Sequence, residues 1–386
     1  MGRHILFASI PAWGHLYPVL PGLAELVRRG HRVSCLASGG FAGEVGKVLD
    51  VVPYDSPMDS TEVDLADMGS VLPMMLAETR AAYSVLADVV RADPPEVIVS
   101  DVLSNAGWLL GRAFDLPVVR TWPVFASNSE FSLHEDYTSR TDTEESMTAF
   151  FRSVAAFLDE VGLDTVSPEQ FFDNEAEHNI ALFPRALQPR GETFDARFTF
   201  ISPCIRPAEG SPEVPWLARS QPLAVVSLGT VFNEKIDFFR TCLDGIDRLG
   251  WYAAAALGNR VNPAAIGPVS PRVLVTPTLP MIDALRHASV AVTHGGLTST
   301  LEALAEGVPV LISPQIGEQR GVADRVEALG LGHRLPDPFT AEELAELIKQ
   351  VSQDSAMAER LDRFRATVRD ADGPAQFADA VEAVPR

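Results

Sequence analysis

The chain has 386 residues, 46% of them hydrophobic and 22% charged. At ~150 residues per domain this predicts two domains with sizeable cores and excludes wholesale disorder. Its 31 basic and 52 acidic residues leave a net charge of −21. That is the opposite of a nucleic-acid footprint, so nucleic acid is excluded as a partner, although one local phosphate pocket is not. Cys35, Cys204 and Cys242 are odd in number, far apart and form no CxxC pair, so neither a disulfide framework nor a zinc site is expected and a reducing, cytoplasmic setting fits. No stretch reaches the ~18–20 apolar residues of a membrane span. The short run after Arg3, interrupted by Pro11, reads as a first buried strand rather than a secretory leader.

Short apolar runs then alternate with amphipathic segments. Residues 4–10 read as a strand, 18–29 as a helix, 32–36 as a strand, 97–101 as a strand, 103–114 as a helix and 116–121 as a strand. This is the rhythm of a parallel sheet covered by helices. It lapses between residues 130 and 195, a helical and polar region with an acidic stretch at 142–145. A breaker-rich segment, 203–222, suits a linker. The alternation restarts with strands at 223–228, 251–256, 273–275, 290–293 and 308–312 and a helix at 237–249. The end is helical from about residue 341, with a break at Gly373-Pro374. The expected fold is α/β, with two successive Rossmann-like units and a ligand cleft between them. The boundaries read as 1–205, a linker at 206–222, 223–370, and a last helix in 371–386.

In the second half His294-Gly295-Gly296-Leu297-Thr298-Ser299 follows a strand and opens a helix. Glycines there let the backbone approach a ligand closely. The helix start offers unpaired N–H groups and partial positive charge suited to phosphate. Thr298 and Ser299 add hydroxyls, and Glu302, one turn on, is placed to accept from ribose hydroxyls. The competing reading is an ordinary helix start with tight-packing glycines. Glu318 beside Gln319, after the next strand, supplies acceptors and a donor for sugar hydroxyls.

The string HGGLTSTLEALAEGVPVLISPQIGEQ, residues 294–319, resembles the donor-binding signature of nucleotide-sugar glycosyltransferases, in particular the bacterial macrolide glycosyltransferases. Ile10-Pro11-Ala12-Trp13-Gly14-His15, Phe183-Pro184-Arg185, Glu192-Thr193-Phe194-Asp195 and Ser227-Leu228-Gly229-Thr230 resemble further family segments, in the family's order. The resemblance implies a GT-B fold: two Rossmann-like domains with parallel sheets facing a central cleft, acceptor on the first and UDP- or TDP-sugar on the second, the last helix crossing back to the first. It implies a diphosphate cradle of His294, Gly296, Thr298 and Ser299, lined by Ser227, Gly229 and Thr230. Glu302 would hold the ribose, and Glu318 and Gln319 the sugar. Thr278 stands where many relatives stack a tryptophan on the base, leaving the backbone of Leu279 to meet the base edge. Tyr17 replaces a frequent asparagine on the acceptor side.

The resemblance also makes His15 the general base and Asp101 the acid that orients it. A positioned imidazole can take the proton of an alcohol, a poor nucleophile, during attack. The plain alternatives are a histidine filling a turn and an aspartate capping the helix that follows. His4, His31, His134, His178, His287 and His333 read as structural or surface residues. Trp13 is a candidate for an apolar acceptor pocket, whereas Phe125, Phe131, Met74 and Met75 suit a core equally well. Asp370-Ala371-Asp372 has the pattern of a metal-binding Asp-x-Asp but sits at a polar helix end, so no metal is expected. The implied activity is inverting, metal-independent hexosyl transfer to a hydrophobic natural product, with no tightly bound cofactor. UDP-glucose is the favoured donor, a TDP-sugar the second, and an oligomer stays open. The alternatives are a nucleotide-sugar epimerase and a non-catalytic small-molecule-binding protein on the same fold.

Overall fold

Strand β1 (His4–Ala8) is buried along its whole length, as a strand must be when helices cover both faces of a parallel sheet. In the computed structural model, which describes residues 2–59, 68–137, 144–173, 176–208, 222–230 and 233–385, the chain forms two units. One is Met1–Cys204 with Asp372–Arg386, the other Ile205–Ala371. Within the first unit β1 is followed by α1 (Trp13–Leu16), α2 (Leu20–Arg28), β2 (Arg32–Ser38), α3 (Gly39–Val45), β3 (Asp50–Tyr54), α4 (Met68–Ala92), β4 (Val97–Asp101) and α5 (Asn105–Phe114). Then come β5 (Val118–Trp122), α6 (Leu133–Tyr137), α7 (Glu144–Glu160), α8 (Pro168–Asp173), β6 (His178–Ala181) and β7 (Phe198–Phe200).

The seven strands are ordered β3-β2-β1-β4-β5-β6-β7, all parallel. Alternate residues of β1 feed two cores. Ile5 and Phe7 join Leu23, Leu26 and Phe377 on one face, while Leu6 and Ala8 join Leu86, Val90, Leu109 and Leu110 on the other.

Strand β6 lies inside 130–195, where the sequence shows no strand rhythm, and β7 lies just beyond it. They are only four and three residues long, and β6 carries a buried Asn179 where an apolar residue is expected. Its amide oxygen accepts from Trp122 Nε1 at 3.0 Å and its amide nitrogen donates to the Ala176 carbonyl at 2.8 Å, so the polar residue is satisfied in place. Strand β3 is an edge strand, which is why it tolerates Pro53. Of the acidic stretch, residues 142–143, and of the linker, residues 209–221, lie outside the described residues.

The second unit runs β8 (Leu223–Ser227), α9 (Ile236–Arg248), β9 (Tyr252–Ala256), β10 (Val273–Thr276), α10 (Met281–Leu285), β11 (Ala288–Thr293) and α11 (Leu297–Ala305). It continues with β12 (Val310–Ile312), α12 (Gly317–Ala328), β13 (Gly332–Arg334), α13 (Ala341–Gln353) and α14 (Ser355–Arg369). Its six strands are parallel in the order β10-β9-β8-β11-β12-β13.

The last helix, α15 (Gly373–Glu382), belongs to the first unit. Asp372 caps it, its Oδ1 accepting from Ala375 N at 3.0 Å. Asp372 of the Asp-x-Asp string is therefore a helix cap. Phe377 is fully buried against Gly22, where a Cβ would lie 2.5 Å from the ring. Around this contact Arg29 Nη1 reaches Asp379 Oδ1 at 2.6 Å and Glu382 Oε2 at 2.8 Å, and Arg3 Nη1 donates to the Val384 carbonyl at 2.8 Å.

The close approach at Gly22 makes a prediction. Gly22→Ala overpacks the contact and is expected to cost about 1–3 kcal/mol. Phe377→Ala leaves a cavity and is expected to cost about 3–5 kcal/mol. Because removing the Phe377 ring also removes the clash that Gly22→Ala creates, the double variant should lose less than the sum, read from urea unfolding followed by tryptophan fluorescence.

Candidate functional site

In the first sheet the strand order reverses between β1 and β4, and ligands of open α/β sheets sit at the carboxyl ends of strands beside such a reversal. Both catalytic candidates are there. The chain leaves β1 through Ile10-Pro11-Ala12 into the single turn of α1, which carries His15. Asp101 is the last residue of β4.

Nδ1 of His15 lies 2.9 Å from both carboxylate oxygens of Asp101. Asp101 is fully buried, and the His15 side chain keeps 12% of its surface open. Nδ1–H therefore donates to the carboxylate, which makes Nε2 the ring nitrogen that carries the lone pair. Asp101 Oδ1 also accepts from Leu103 N at 2.9 Å, so the carboxylate braces its own loop as well as the imidazole. The formal cap of α5 is Ser104, not Asp101. Leu103, 40% exposed, gives the loop an apolar surface.

Trp13 stacks on Tyr17 with 4.5 Å between ring centroids and packs against Phe41 at the same separation. It is a half-buried aromatic in a cluster of three. Phe125 and Phe131 are buried. One charged residue near the pair carries no site signature in the sequence. Arg120, in the middle of β5, is 1% exposed and donates from Nη2 to the Val102 carbonyl at 3.0 Å. Burial pushes its pKa down to about 9, against the pull of the Asp101 charge. In the sequence it is an arginine following two valines in the strand Val118–Trp122.

The second sheet reverses between β8 and β11, with Ser227 paired in register to Thr293. The chain leaves β11 through His294, Gly295 and Gly296 into α11. Gly295 has φ +89 and Gly229, after β8, φ +74, conformations that favour glycine. The His294 ring lies in a slot between backbones. A Cβ on Gly229 would approach its Cε1 to 2.7 Å, and one on Gly296 its Nε2 to 2.6 Å. Part of the residue's surface is open, but burial of the ring pushes its pKa down to about 4, with the Ser227 carbonyl pulling the other way. Gly296 is the N-cap of α11, and no side chain caps that helix.

Thr298 and Ser299 stand half-buried in the first turn of α11. Glu302 is buried on the same helix. Burial pushes its carboxyl up, opposed by Arg206, whose Nη2 lies 3.4 Å from Oε1. Ser227 Oγ accepts from Gly229 N at 3.2 Å, and Thr230 is exposed. Leu279 is half-buried beside an exposed Thr278 whose carbonyl accepts from Thr276 Oγ1 at 2.6 Å. Glu318 opens α12 at the end of β12, half-buried. Gln319 is buried, and its Oε1 accepts from Gln315 N at 2.8 Å. The structure thus gathers His294, Gly296, Thr298, Ser299, Ser227 and Gly229 around one strand-order reversal, while Gln319 turns its amide oxygen onto its own loop.

Among the described residues no three His, Cys, Asp or Glu side chains converge as metal ligands would, and no helix is long and apolar enough to cross a membrane. All three cysteines are free and buried, and burial pushes each thiol up.

Residues 255–384 match the family model of the erythromycin biosynthesis protein CIII-like C-terminal domain. The chain is 33% identical to demethyllactenocin mycarosyltransferase of Streptomyces fradiae, over 98% of this chain and 86% of that protein. It is 31% identical to the NDP-glycosyltransferase YjiC of Bacillus licheniformis, over 99% and 97% of the two chains. Among solved structures, the calicheamicin glycosyltransferase CalG4 is 33% identical and superposes with a TM-score of 0.84, over 99% of this chain and 98% of that one. With parallel sheets of seven and six strands, and likeness over nearly the full length of such relatives, this chain belongs to the macrolide and nucleotide-sugar glycosyltransferase family and is a glycosyltransferase of the GT-B fold.

Proposed function

We propose that the chain is an inverting, metal-independent hexosyltransferase. It moves a hexose from a nucleotide sugar to a hydroxyl of a hydrophobic natural product, a macrolide or polyphenol, with His15 as general base. The observation that carries this reading is the buried Asp101 carboxylate against Nδ1 of a partly open His15. It fixes the tautomer in which Nε2 can accept a proton and stabilises the imidazolium that forms. The acceptor O–H gives its proton to Nε2 as its oxygen attacks the anomeric carbon. The new C–O bond forms as the bond to the diphosphate breaks, with the electron pair leaving on the nucleoside diphosphate. Attack opposite an α-linked diphosphate gives a β-glycoside.

On the donor side the diphosphate belongs to His294, Gly296, Thr298 and Ser299, with Ser227, Gly229 and Thr230 lining the turn beside it. The N-terminus of α11 meets the leaving charge, as unpaired N–H groups at a helix start do. Glu302 is the ribose ligand, the Leu279 backbone meets the base, and Glu318 with Gln319 meets the sugar. UDP-glucose is the first donor to test and TDP-hexoses the second. The names of the two relatives, one an NDP-glycosyltransferase and one a mycarosyltransferase, favour a nucleotide sugar and a natural-product acceptor.

Mass spectrometry of reactions pairing UDP- and TDP-sugars with a panel of macrolides and polyphenols should find a product heavier by one hexosyl unit. No product with any pair would sink the reading. His15→Gln is expected to lower kcat by about 10²- to 10⁴-fold while UDP or TDP still raises the Tm. A His15→Gln enzyme with full kcat would remove the base assignment.

His294 gives a pH prediction. Its folded pKa, about 4, lies below the ordinary value near 6.5 of an unfolded chain, so between those values the unfolded state binds the extra proton. The second unit should therefore lose stability as pH falls from 6.5 to 4, and not further below 4 on this residue's account. His294→Asn should flatten that part of the profile, measured as urea midpoints at pH 7 and pH 5. An identical loss in both proteins would contradict it.

A further inference from the structure

Glu302 is an ionisable group in an apolar stretch. It stands inside α11 with 7% of its side chain open, flanked in sequence by the buried Leu301, Ala303, Leu304 and Ala305. Burial pushes its carboxyl up, toward the neutral acid. One cation works against that. Arg206 Nη2 lies 3.4 Å from Oε1, and both its charge and its hydrogen bond pull the carboxyl back toward the ionised form. Arg206 is 96 positions away in sequence, near the start of the second unit and before β8.

The surroundings of α11 supply no second counter-charge for Glu302. The helix packs against α10, α14, β11 and β12, and the two strands carry no charged residue. Arg286, just after α10, and Arg369, at the end of α14, both pair with Glu306, one turn beyond Glu302. Arg365 of α14 lies beside Gly307, past the end of α11. His294, before the helix, stays neutral down to about pH 4. Neither these groups nor Asp283 of α10 acts on the Glu302 carboxyl as a charge; Arg206 does.

We infer that Arg206 is a positioning residue for the nucleotide: it keeps Glu302 ionised and in place, so that a carboxylate and not a carboxylic acid meets the ribose. The inference rests on the reading of Glu302 as the ribose ligand. A carboxylate offers about four acceptor sites and no donor, so it can accept from Arg206 and from ribose hydroxyls together. Ribose hydroxyls bring no charge of their own. Their bond to Glu302 is roughly twice as strong when the acceptor is ionised, and the protein has to keep that charge in a buried place.

The test is the Kd of UDP or TDP, whichever binds the wild type more tightly, read by titration calorimetry without acceptor or turnover. Arg206→Gln should raise that Kd about tenfold near neutral pH, the scale of trading a charge-assisted hydrogen bond for a neutral one. The ratio of variant to wild-type Kd should grow as pH falls from about 8.5 to about 6, because the variant loses its carboxylate first. Titration of the diphosphate is common to both proteins and cancels in the ratio. Arg206→Lys, which keeps the charge, should recover most of the affinity. In a Glu302→Gln background Arg206→Gln should change the Kd no further.

An arginine that touched the nucleotide directly would cost the same affinity in both backgrounds, and one that merely supported the fold would lower the Tm and leave the Kd alone. Either result overturns the inference. Should Arg206→Gln not fold, the double variant with Glu302→Gln should, because no buried charge is then left unmatched; a double variant as unfolded as the single would overturn the inference too. A Glu302→Gln protein that binds the nucleotide as tightly as wild type would refute the ribose reading and the inference with it. A weakened Glu302→Gln beside an unchanged Arg206→Gln would refute the inference alone.

Discussion

The site residues depend on one topological constraint: in each parallel sheet the chain must turn back past its first strand. In the first unit the fourth strand lies on the far side of β1 from β2, and in the second unit β11 lies on the far side of β8 from β9. Where the order reverses, the connections from two adjacent strands leave toward opposite faces and their carboxyl ends stand apart. Polar groups can then occupy the end of an otherwise apolar sheet without being smothered. His15 and Asp101 use the first such place, and His294 with the start of α11 the second. The same architecture is therefore used twice for opposite electrical purposes.

In the first unit the polar groups are brought to charge balance. A carboxylate with no exposed surface is answered by an imidazole at 2.9 Å, by the Leu103 N–H and by the loop that Arg120 braces. In the second unit the groups are held uncharged or nearly so. Burial keeps the His294 imidazole neutral down to about pH 4 and pushes the Glu302 carboxyl toward its protonated form, with Arg206 working the other way. In the proposed reaction a proton moves in the first place, where a charge pair that can pass through an imidazolium is useful, and the diphosphate bound in the second already carries its charge, so oriented N–H groups and hydroxyls at a helix start suit it without an opposing carboxylate.

Much of this was legible in the residues. Alternation of apolar runs with helices gave the two units, because strands covered on both faces must be apolar throughout. The His294-Gly295-Gly296 corner was legible because only glycine adopts φ near +89 without strain and leaves room for the ring of His294. Strands β6 and β7 were hidden by brevity and by Asn179, whose hydrogen bonds come from Trp122, 57 positions away. Arg206 and Glu302, 96 positions apart, leave no local pattern. Gln319 reads as a sugar contact because it follows Glu318 at a strand end, and its amide oxygen accepts from the Gln315 N–H, a contact that spacing does not report. Arg120 was in plain view as an arginine within a strand of valines, but periodicity assigns such a residue to a surface, and only the neighbouring strands show it has none.

The slot around His294 shows why the sequence pattern there is so narrow. The ring meets Thr293 Oγ1 at 3.3 Å and the Ser227 carbonyl. It is also confined by shape, between Gly229 from the β8 turn and Gly296 at the start of α11. A methyl group on either would enter the space of the ring, and at Gly229 it would also meet the cost of a positive φ. The ring, the helix start and the β8 turn therefore keep their relative places only while both positions lack a side chain. Two glycines more than sixty residues apart in sequence thus act as one requirement, imposed by the in-register pairing of Ser227 with Thr293 that brings the two turns side by side.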